Sequence, residues 1–282
     1  MVGIVILNYN SPGDTIACIN SVREFCHPGD YALCVVDNGS DRETIDAVGA
    51  VLLEGDKYVL SGENIGYARG NNLALKYFDA VDGVDKVLIL NNDVLLTQDI
   101  LTPLAAYLDT HPACGVVSPL LRGKDGAIDH SCARRFKSPR DMAIKAGALG
   151  RFGVKTGEFI LRDNPALAFQ KELRIDLPSG SCMMLRKKDF AAIGWFDPAT
   201  FLYFEEDILG TRLARAGFMA TLLPGISVTH LGAGTTSRQS SAKIYGYWRQ
   251  SLLYYIEHYT DCSDSLLRYI RCRTALGSLS KK

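Results

Sequence analysis

The stretch that most constrains this fold is Lys86-Val87-Leu88-Ile89-Leu90 followed by Asn91-Asn92-Asp93. A short, unbroken apolar run reads as a strand buried on both faces, as in parallel sheets flanked by helices. It stops on two amides and a carboxylate, so its C-terminal tip carries polar groups, and in open α/β sheets that edge is where ligands bind. Asp93 can offer oxygen to a hard divalent cation, and Asn91 and Asn92 can hydrogen-bond hydroxyls without adding charge. The same ending also suits a helix N-cap, since Asp and Asn are preferred there. The rest of the chain decides between the two.

Upstream, Val2-Gly3-Ile4-Val5-Ile6-Leu7 is a second short strand, closing on Asn8-Tyr9-Asn10-Ser11-Pro12. Ile16, Ile19 and Val22 then recur at helical spacing, and Tyr31 to Val36 forms a strand tipped by Asp37-Asn38-Gly39-Ser40-Asp41. Strand, helix and strand with polar tips make a βαβ unit of the doubly wound kind. A third strand near Lys57-Tyr58-Val59-Leu60 leads to Glu63-Asn64-Ile65-Gly66-Tyr67-Ala68-Arg69-Gly70-Asn71-Asn72. The glycines of that segment allow close approach of a ligand to backbone, and the helix that follows favours an anion at its start. An ordinary loop leading into a helix fits equally well.

Beyond Asp93 the pattern predicts a helix near 98–110 and a strand at 115–118. From Arg122 to Arg174 the alternation fades, as in a mobile loop region or a smaller subdomain over a site. Arg134 and Arg135 can meet an anionic acceptor there or stand as solvated surface. Regularity returns where Ser179-Gly180-Ser181 precedes the apolar run from Cys182 to Leu185, and Gly194-Trp195-Phe196-Asp197-Pro198 follows. Next comes Phe201-Leu202-Tyr203-Phe204-Glu205-Glu206-Asp207, entering a helix that closes at Gly217. Three adjacent carboxylates suit the positive end of a helix. Shielded by the aromatics, they would also repel one another and lose solvation, raising at least one pKa and giving a usable base. The strand from Ile226 to Thr229 ends at His230-Leu231-Gly232-Ala233-Gly234, where an imidazole is either structural or within reach of a metal. The tail carries Tyr247, Trp248, Leu252, Tyr255, Ile256 and Tyr259, then Arg268, Arg271, Arg273, Lys281 and Lys282. It fits a helix packed on the domain or touching an anionic membrane face.

Composition narrows the classes. Hydrophobic residues make up 47% and charged residues 22% of the 282, and 31 Lys plus Arg balance 31 Asp plus Glu. No global field therefore points to nucleic acid. Eight scattered cysteines without a C-x-x-C pair read as reduced core thiols in a cytoplasmic protein. No leader is expected, nor a membrane span, because no apolar run approaches ~18 residues.

Taken in order, these motifs resemble the family 2 glycosyltransferases of the GT-A fold, in particular the bacterial branch with rhamnosyltransferases. They are Asn8-Tyr9-Asn10, Val36-Asp37-Asn38-Gly39-Ser40, Asn64-x-Gly66-x-Ala68-x-Gly70-x-Asn72, Asn91-Asn92-Asp93, Ser179-Gly180-Ser181, Gly194-Trp195-Phe196-Asp197, Glu205-Glu206-Asp207 and His230. The likeness implies a mostly parallel central sheet with helices on both faces. It divides residues 1–240 into a nucleotide-sugar half (1–120) and an acceptor half (121–240), followed by a helical tail (241–282). By the same likeness Asn8, Tyr9, Asn10, Asp37, Asn64, Gly66, Asn91 and Asn92 hold the nucleotide sugar, Asp37 against the base. Asp93 and His230 hold Mg²⁺ or Mn²⁺, Glu206 is the general base with Asp207 beside it, and Gly180, Ser181, Trp195 and Asp197 face the acceptor. Asn91 stands where the family's D-x-D motif begins with Asp, which removes one charge.

The implied reaction is inverting transfer of a sugar, rhamnose among the candidates, from a UDP or dTDP donor. The acceptor is a hydroxyl of a saccharide or lipid-linked oligosaccharide in cell-surface polysaccharide synthesis, with peripheral contact at the inner membrane face. A dehydrogenase would need G-x-G-x-x-G after the first strand, and a P-loop enzyme G-x-x-x-x-G-K-[ST]; neither occurs. The remaining alternative is a non-catalytic relative that binds nucleotide sugar or carbohydrate through the weakened Asn91-Asn92-Asp93 motif.

Overall fold

The computed structural model describes residues 1–146, 157–232 and 240–279. Ala233, Gly234, Lys281, Lys282 and part of the 122–174 stretch lie outside the described residues. The first half alternates β1 (Val2–Asn8), α1 (Pro12–Phe25), β2 (Tyr31–Asp37), α2 (Arg42–Gly49), β3 (Lys57–Leu60), α3 (Tyr67–Asp79) and β4 (Lys86–Asn91). Local chemistry sets the boundaries: Pro12 opens α1, where a missing N–H costs nothing, and the Asp41 side chain accepts from Thr44 N (2.8 Å) to cap α2.

β5 (Val94–Leu96), α4 (Leu101–Thr110), β6 (Cys114–Arg122), α5 (Pro139–Ala146), α6 (Ile160–Asp163), β7 (Leu173–Ile175), β8 (Cys182–Arg186), α7 (Lys187–Ala192), α8 (Glu205–Arg215) and β9 (Met219–His230) follow. α9 (Ser241–Tyr259) and α10 (Asp264–Leu279) end the described chain. Among the described residues the strands form one sheet of order β3-β2-β1-β4-β8-β6-β9-β5, with β7 added on β9. It is parallel from β3 to β4 and mixed beyond: β8 runs antiparallel to β4 and β6, β9 parallel to β6, and β5 and β7 antiparallel to β9.

Two consequences place the site. Asn8 pairs with Asp37 and Leu7 with Asn91, so the polar ends of β1, β2 and β4 share one edge. Because β8 is antiparallel, its beginning rather than its end meets that edge, and Asn91 N donates to Ser181 O at 2.8 Å.

The main core runs through the sheet and its helices, with Ile4, Ile6, Leu88, Ile89, Met184 and Phe190 almost wholly buried. Cys18, Cys26, Cys34, Cys114, Cys132 and Cys182 are buried in it as free thiols, as expected of small core residues, whereas Cys262 is half-buried and Cys272 exposed. The tail packs on the domain through a second cluster that joins Met142, Phe204 and Ile208 to Leu252, Tyr255, Ile256 and Ile270. No helix of the described residues is long and apolar enough to cross a membrane.

Candidate active site

A cavity of about 340 Å³ opens at the carboxyl edge of β1, β2 and β4, and Tyr9, Asn38, Asn64, Gly66, Asn91, Asn92, Asp93, Ser181 and His230 are among its lining. Its floor is a hydrogen-bonded lattice of strand tips. Asn8 donates through Nδ2 to Asp37 Oδ2 (2.8 Å) and accepts at Oδ1 from Thr15 Oγ1 (2.8 Å), which in turn accepts from Asn92 Nδ2 (3.0 Å). Asn38 ties the next wall together, donating to Asn64 Oδ1 and to Gly66 O, both at 3.2 Å, while its own Oδ1 accepts from Ile65 N (3.0 Å). Gly39 and Gly66 have φ of 81° and 88°. A Cβ at Gly39 would lie 2.3 Å from the Glu63 carbonyl carbon, and one at Gly66 2.4 Å from Phe201 O, so both sites require glycine. The first amide of α3, on Tyr67, donates to Phe201 O (3.0 Å). That amide is therefore taken by protein, and Gly66 and Tyr67 line the cavity.

Asp93 and His230 meet because β5 pairs antiparallel with β9: Val94 stands opposite His230, and Leu231 N donates to Asp93 O at 2.8 Å. Asp93 Oδ2 lies 3.5 Å from His230 Nε2, and Ser181 Oγ lies 3.5 Å from the same nitrogen. On the far side of the ring, Nδ1 is 3.0 Å from Asp129 Oδ2. Hydrogen bonding to Asp129 and then to Asp93 pushes His230 up to about 9, and the bond from His230 holds Asp129 down at about 2. Among the described residues no cluster of three or more His, Cys, Asp or Glu is arranged to hold a metal. The protein offers a carboxylate and an imidazole on one cavity wall.

A second cavity, of about 180 Å³, adjoins the first and is lined by Tyr67, Asn91, Gly180, Ser181, Leu202, Tyr203, Glu205 and Glu206. Tyr67, Asn91, Ser181 and Leu202 line both. Glu206 accepts from Gly180 N at Oε1 (3.0 Å), and the Gly180 carbonyl accepts from Tyr67 Oη (2.7 Å). Its Oε2 lies 3.3 Å from Arg134 Nη2. Asp207 turns the other way: its side chain is 4% exposed, paired with Arg134 Nη1 (3.6 Å) and Lys137 Nζ (3.3 Å), and outside both cavities. Burial, reinforced by the Glu206 charge, pushes Glu205 up to about 8. Of the triplet, Glu205 and Glu206 both line this cavity, and Glu206 is the more accessible of the two.

The family model for glycosyl transferase family 2 matches residues 3–194. The chain belongs to this family. Its GT-A fold is shared with the Pyrobaculum calidifontis mannosyltransferase PcManGT in complex with GDP-Man and Mn²⁺ (TM-score 0.59, 18% identity, 99% of this chain, 74% of that one). GalNAc-T7 with UDP, GalNAc and Mn²⁺ is similar over 97% of this chain and 54% of its own (TM-score 0.63, 14% identity). In sequence, the chain is similar to N-acetylglucosaminyl-diphospho-decaprenol L-rhamnosyltransferase of Mycobacterium tuberculosis, at 24% identity over 98% of this chain and 90% of that protein. This is a rhamnosyltransferase-like member of family 2.

The structure brings Tyr9, Asn64, Gly66, Asn91, Asn92, Asp93, His230, Gly180, Ser181 and Glu206 around the two cavities. Other expected family positions sit behind them. Asp37 is buried with Oδ2 on Asn8 and Oδ1 on Ser40 N (2.8 Å), and Asn10 bonds Ser40 Oγ through its amide (2.9 Å), so both shape the turn beneath the wall. Trp195 and Asp197, expected on the acceptor side, line neither cavity. Trp195 packs edge-on against Phe190, 5.2 Å between centroids, and Asp197 Oδ2 accepts from Arg212 (3.0 Å), Tyr254 (3.0 Å) and Tyr259 (2.5 Å). Burial pushes the Asp197 carboxyl up, but those donors and the Ala199 amide hold it below its usual value. It anchors the tail helix. Arg134 is not solvated: its side chain is 13% exposed and reaches Glu206, Asp207 and Glu158, whereas Arg135 is exposed. Tyr67 and Asp129 carried no sequence signal of a role, since a tyrosine at a helix start and an acid in an irregular stretch are commonplace.

Proposed function

We propose that this chain is an inverting hexosyltransferase that takes a sugar, rhamnose first among candidates, from a UDP or dTDP donor to a hydroxyl of a lipid-linked saccharide. The observation that carries the reading is the shared wall of the two cavities. One holds Asp93 and His230 and suits a diphosphate; the other holds Glu206 and suits an acceptor; Tyr67, Asn91, Ser181 and Leu202 belong to both. In support, residues 1–120 supply most of the first cavity, with Tyr9, Asn38 and Asn64 on the nucleoside side and Asn91 and Asn92 toward the sugar.

Glu206 takes the proton of the acceptor hydroxyl as that oxygen bonds to the anomeric carbon. The bond from that carbon to the diphosphate oxygen breaks on the opposite face, so one displacement inverts the centre. The Gly180 amide and Arg134 fix the orientation of the carboxylate. Asp93 and His230 fit Mg²⁺ or Mn²⁺ as a donor pair, because such ions in nucleotide sites complete their shells with phosphate oxygens and water. When bound, the cation neutralises charge on the departing diphosphate. The acceptor class follows the M. tuberculosis relative, whose name specifies a diphospho-decaprenol carrier. Such an acceptor implies peripheral work at the inner membrane face.

A thermal-shift panel of nucleoside diphosphate sugars with and without Mn²⁺ tests the reading. A ligand at 100 times its Kd adds about 2.7 kcal/mol to apparent stability. A UDP or dTDP sugar is expected to raise Tm only when the divalent ion is present. No shift with any nucleotide sugar overturns the proposal, and binding without turnover on any acceptor assigns the chain to the non-catalytic alternative.

A further inference from the structure

We propose that Asp129 is a positioning residue that selects the nitrogen with which His230 faces the diphosphate cavity. The inference rests on the reading of Asp93 and His230 as the cation pair and adds a residue that the family motifs do not contain.

A histidine binds a cation through one ring nitrogen while the other keeps its proton, and the partner of that proton fixes the tautomer and the ring plane. Here the partner is Asp129, whose Oδ2 lies 3.0 Å from Nδ1. Nε2 is thereby the nitrogen turned to Asp93 Oδ2 and Ser181 Oγ, each at 3.5 Å. Asp129 is itself held. Its amide donates to Leu121 O (2.9 Å) at the end of β6, and its Oδ1 accepts from Ser131 N (2.9 Å), capping the turn His130–Cys132. The two carboxylate oxygens thus have separate duties, one to the turn and one to His230. Asp129 lies in the irregular stretch after β6, so that stretch contributes to the site from behind the imidazole while Arg134, five residues on, reaches Glu206.

The division of labour makes Asp129→Asn a discriminating substitution. Asparagine keeps the shape but has one oxygen. If that oxygen caps Ser131, the amide NH₂ meets Nδ1, and a neutral His230 must then carry its proton on Nε2, where it blocks a cation. If the amide flips, the Ser131 N–H loses its acceptor instead, which Tm reads.

The experiment is Mn²⁺ binding, followed by the electron-spin resonance of free Mn²⁺, in the presence of UDP and in parallel dTDP. It compares wild type, Asp129→Asn, His230→Ala and the double variant. Asp129→Asn is expected to weaken Mn²⁺ binding about 10- to 100-fold. The double variant is expected to bind no more weakly than His230→Ala alone, because Asp129 acts through the ring and the two effects cannot add. Losses that add in the double variant, or unchanged Mn²⁺ affinity in Asp129→Asn with wild-type Tm, overturn the role of Asp129 while leaving the cation pair intact. Lower Tm with unchanged Mn²⁺ affinity marks the flipped amide, and Asp129→Ala, which leaves Nδ1 without either partner, then decides: affinity still unchanged reduces Asp129 to a cap, and weakened affinity upholds its role. If wild type takes up no Mn²⁺ with either nucleotide, the cation reading fails first and this role fails with it.

Discussion

Glu205, Glu206 and Asp207 share one sequence run yet end in three environments, because successive residues on a helix point about 100° apart. Glu205 is buried at the edge of the second cavity, Glu206 opens more fully onto it, and Asp207 turns toward Arg134 and Lys137. Burial and the Glu206 charge raise Glu205 to about 8 from an ordinary 4.5, so the folded protein holds that proton more tightly than the unfolded chain. Its contribution to stability is then complete below pH 4.5 and is lost as pH rises to about 8. Urea unfolding should show stability falling by up to a few kcal/mol between about pH 5 and pH 9, with a flatter profile in Glu205→Gln. Identical profiles would contradict the burial of an acid there. Gly180 is a second residue-scale test. A Cβ at that position would stand 3.0 Å from both Glu206 Oε1 and Tyr67 Oη. Gly180→Ala should displace the carboxylate and lower turnover about 100-fold with donor binding unchanged, since small misplacements of reacting groups cost that much. Steady-state kinetics beside donor calorimetry separate the two effects.

Among elements, β5 shows where sequence reading stops. Its three residues, Val94–Leu96, are too short to register as a strand beside the stronger helical pattern that follows, yet their pairing with β9 sets Asp93 next to His230. Long-range pairing of this kind leaves no local trace. The four strands of the first half were legible because their apolar runs and polar tips are local features, and β6 and β9 were legible in part. The splitting of the triplet was not, since it depends on which side of α8 meets α9 and the 122–174 stretch. α9 matters through the turn it supports. Tyr203 and Phe204 both have positive φ (73° and 69°), a strained pair that puts Tyr203 in the acceptor-side cavity and Phe204 against Tyr255. Leu252, fully enclosed in that cluster, and Ser251, whose Oγ donates to Leu202 O (2.8 Å), press the helix onto the turn. Leu252→Ala should cost about 2–5 kcal/mol by leaving a cavity and should also weaken activity through the turn. Full stability in that variant would show that α9 is only loosely attached.

At the scale of the molecule, the sheet gathers residues from nearly the whole chain, Tyr9 to His230, onto one edge. The first half presents carboxyl tips by parallel pairing, and the second half presents Ser181 and Gly180 by running β8 the other way. That reversal accounts for a boundary between two cavities at Asn91 and Ser181, where the proposed transfer would carry the sugar. The overall family likeness was visible as motif order, while the bonding of Asp37 into the strand-tip lattice and the packing of Trp195 and Asp197 away from both cavities were not, because a motif records residue types and not which way they face. The central claim is that Glu206 acts on the acceptor across the wall from a donor it does not hold. Wild type and Glu206→Gln are therefore to be compared for donor affinity by calorimetry and for nucleoside diphosphate release with acceptor, both in Mn²⁺. The account predicts equal affinity and release slowed by about 10²- to 10⁴-fold in the variant. Release at the wild-type rate, or lost donor affinity, would contradict it.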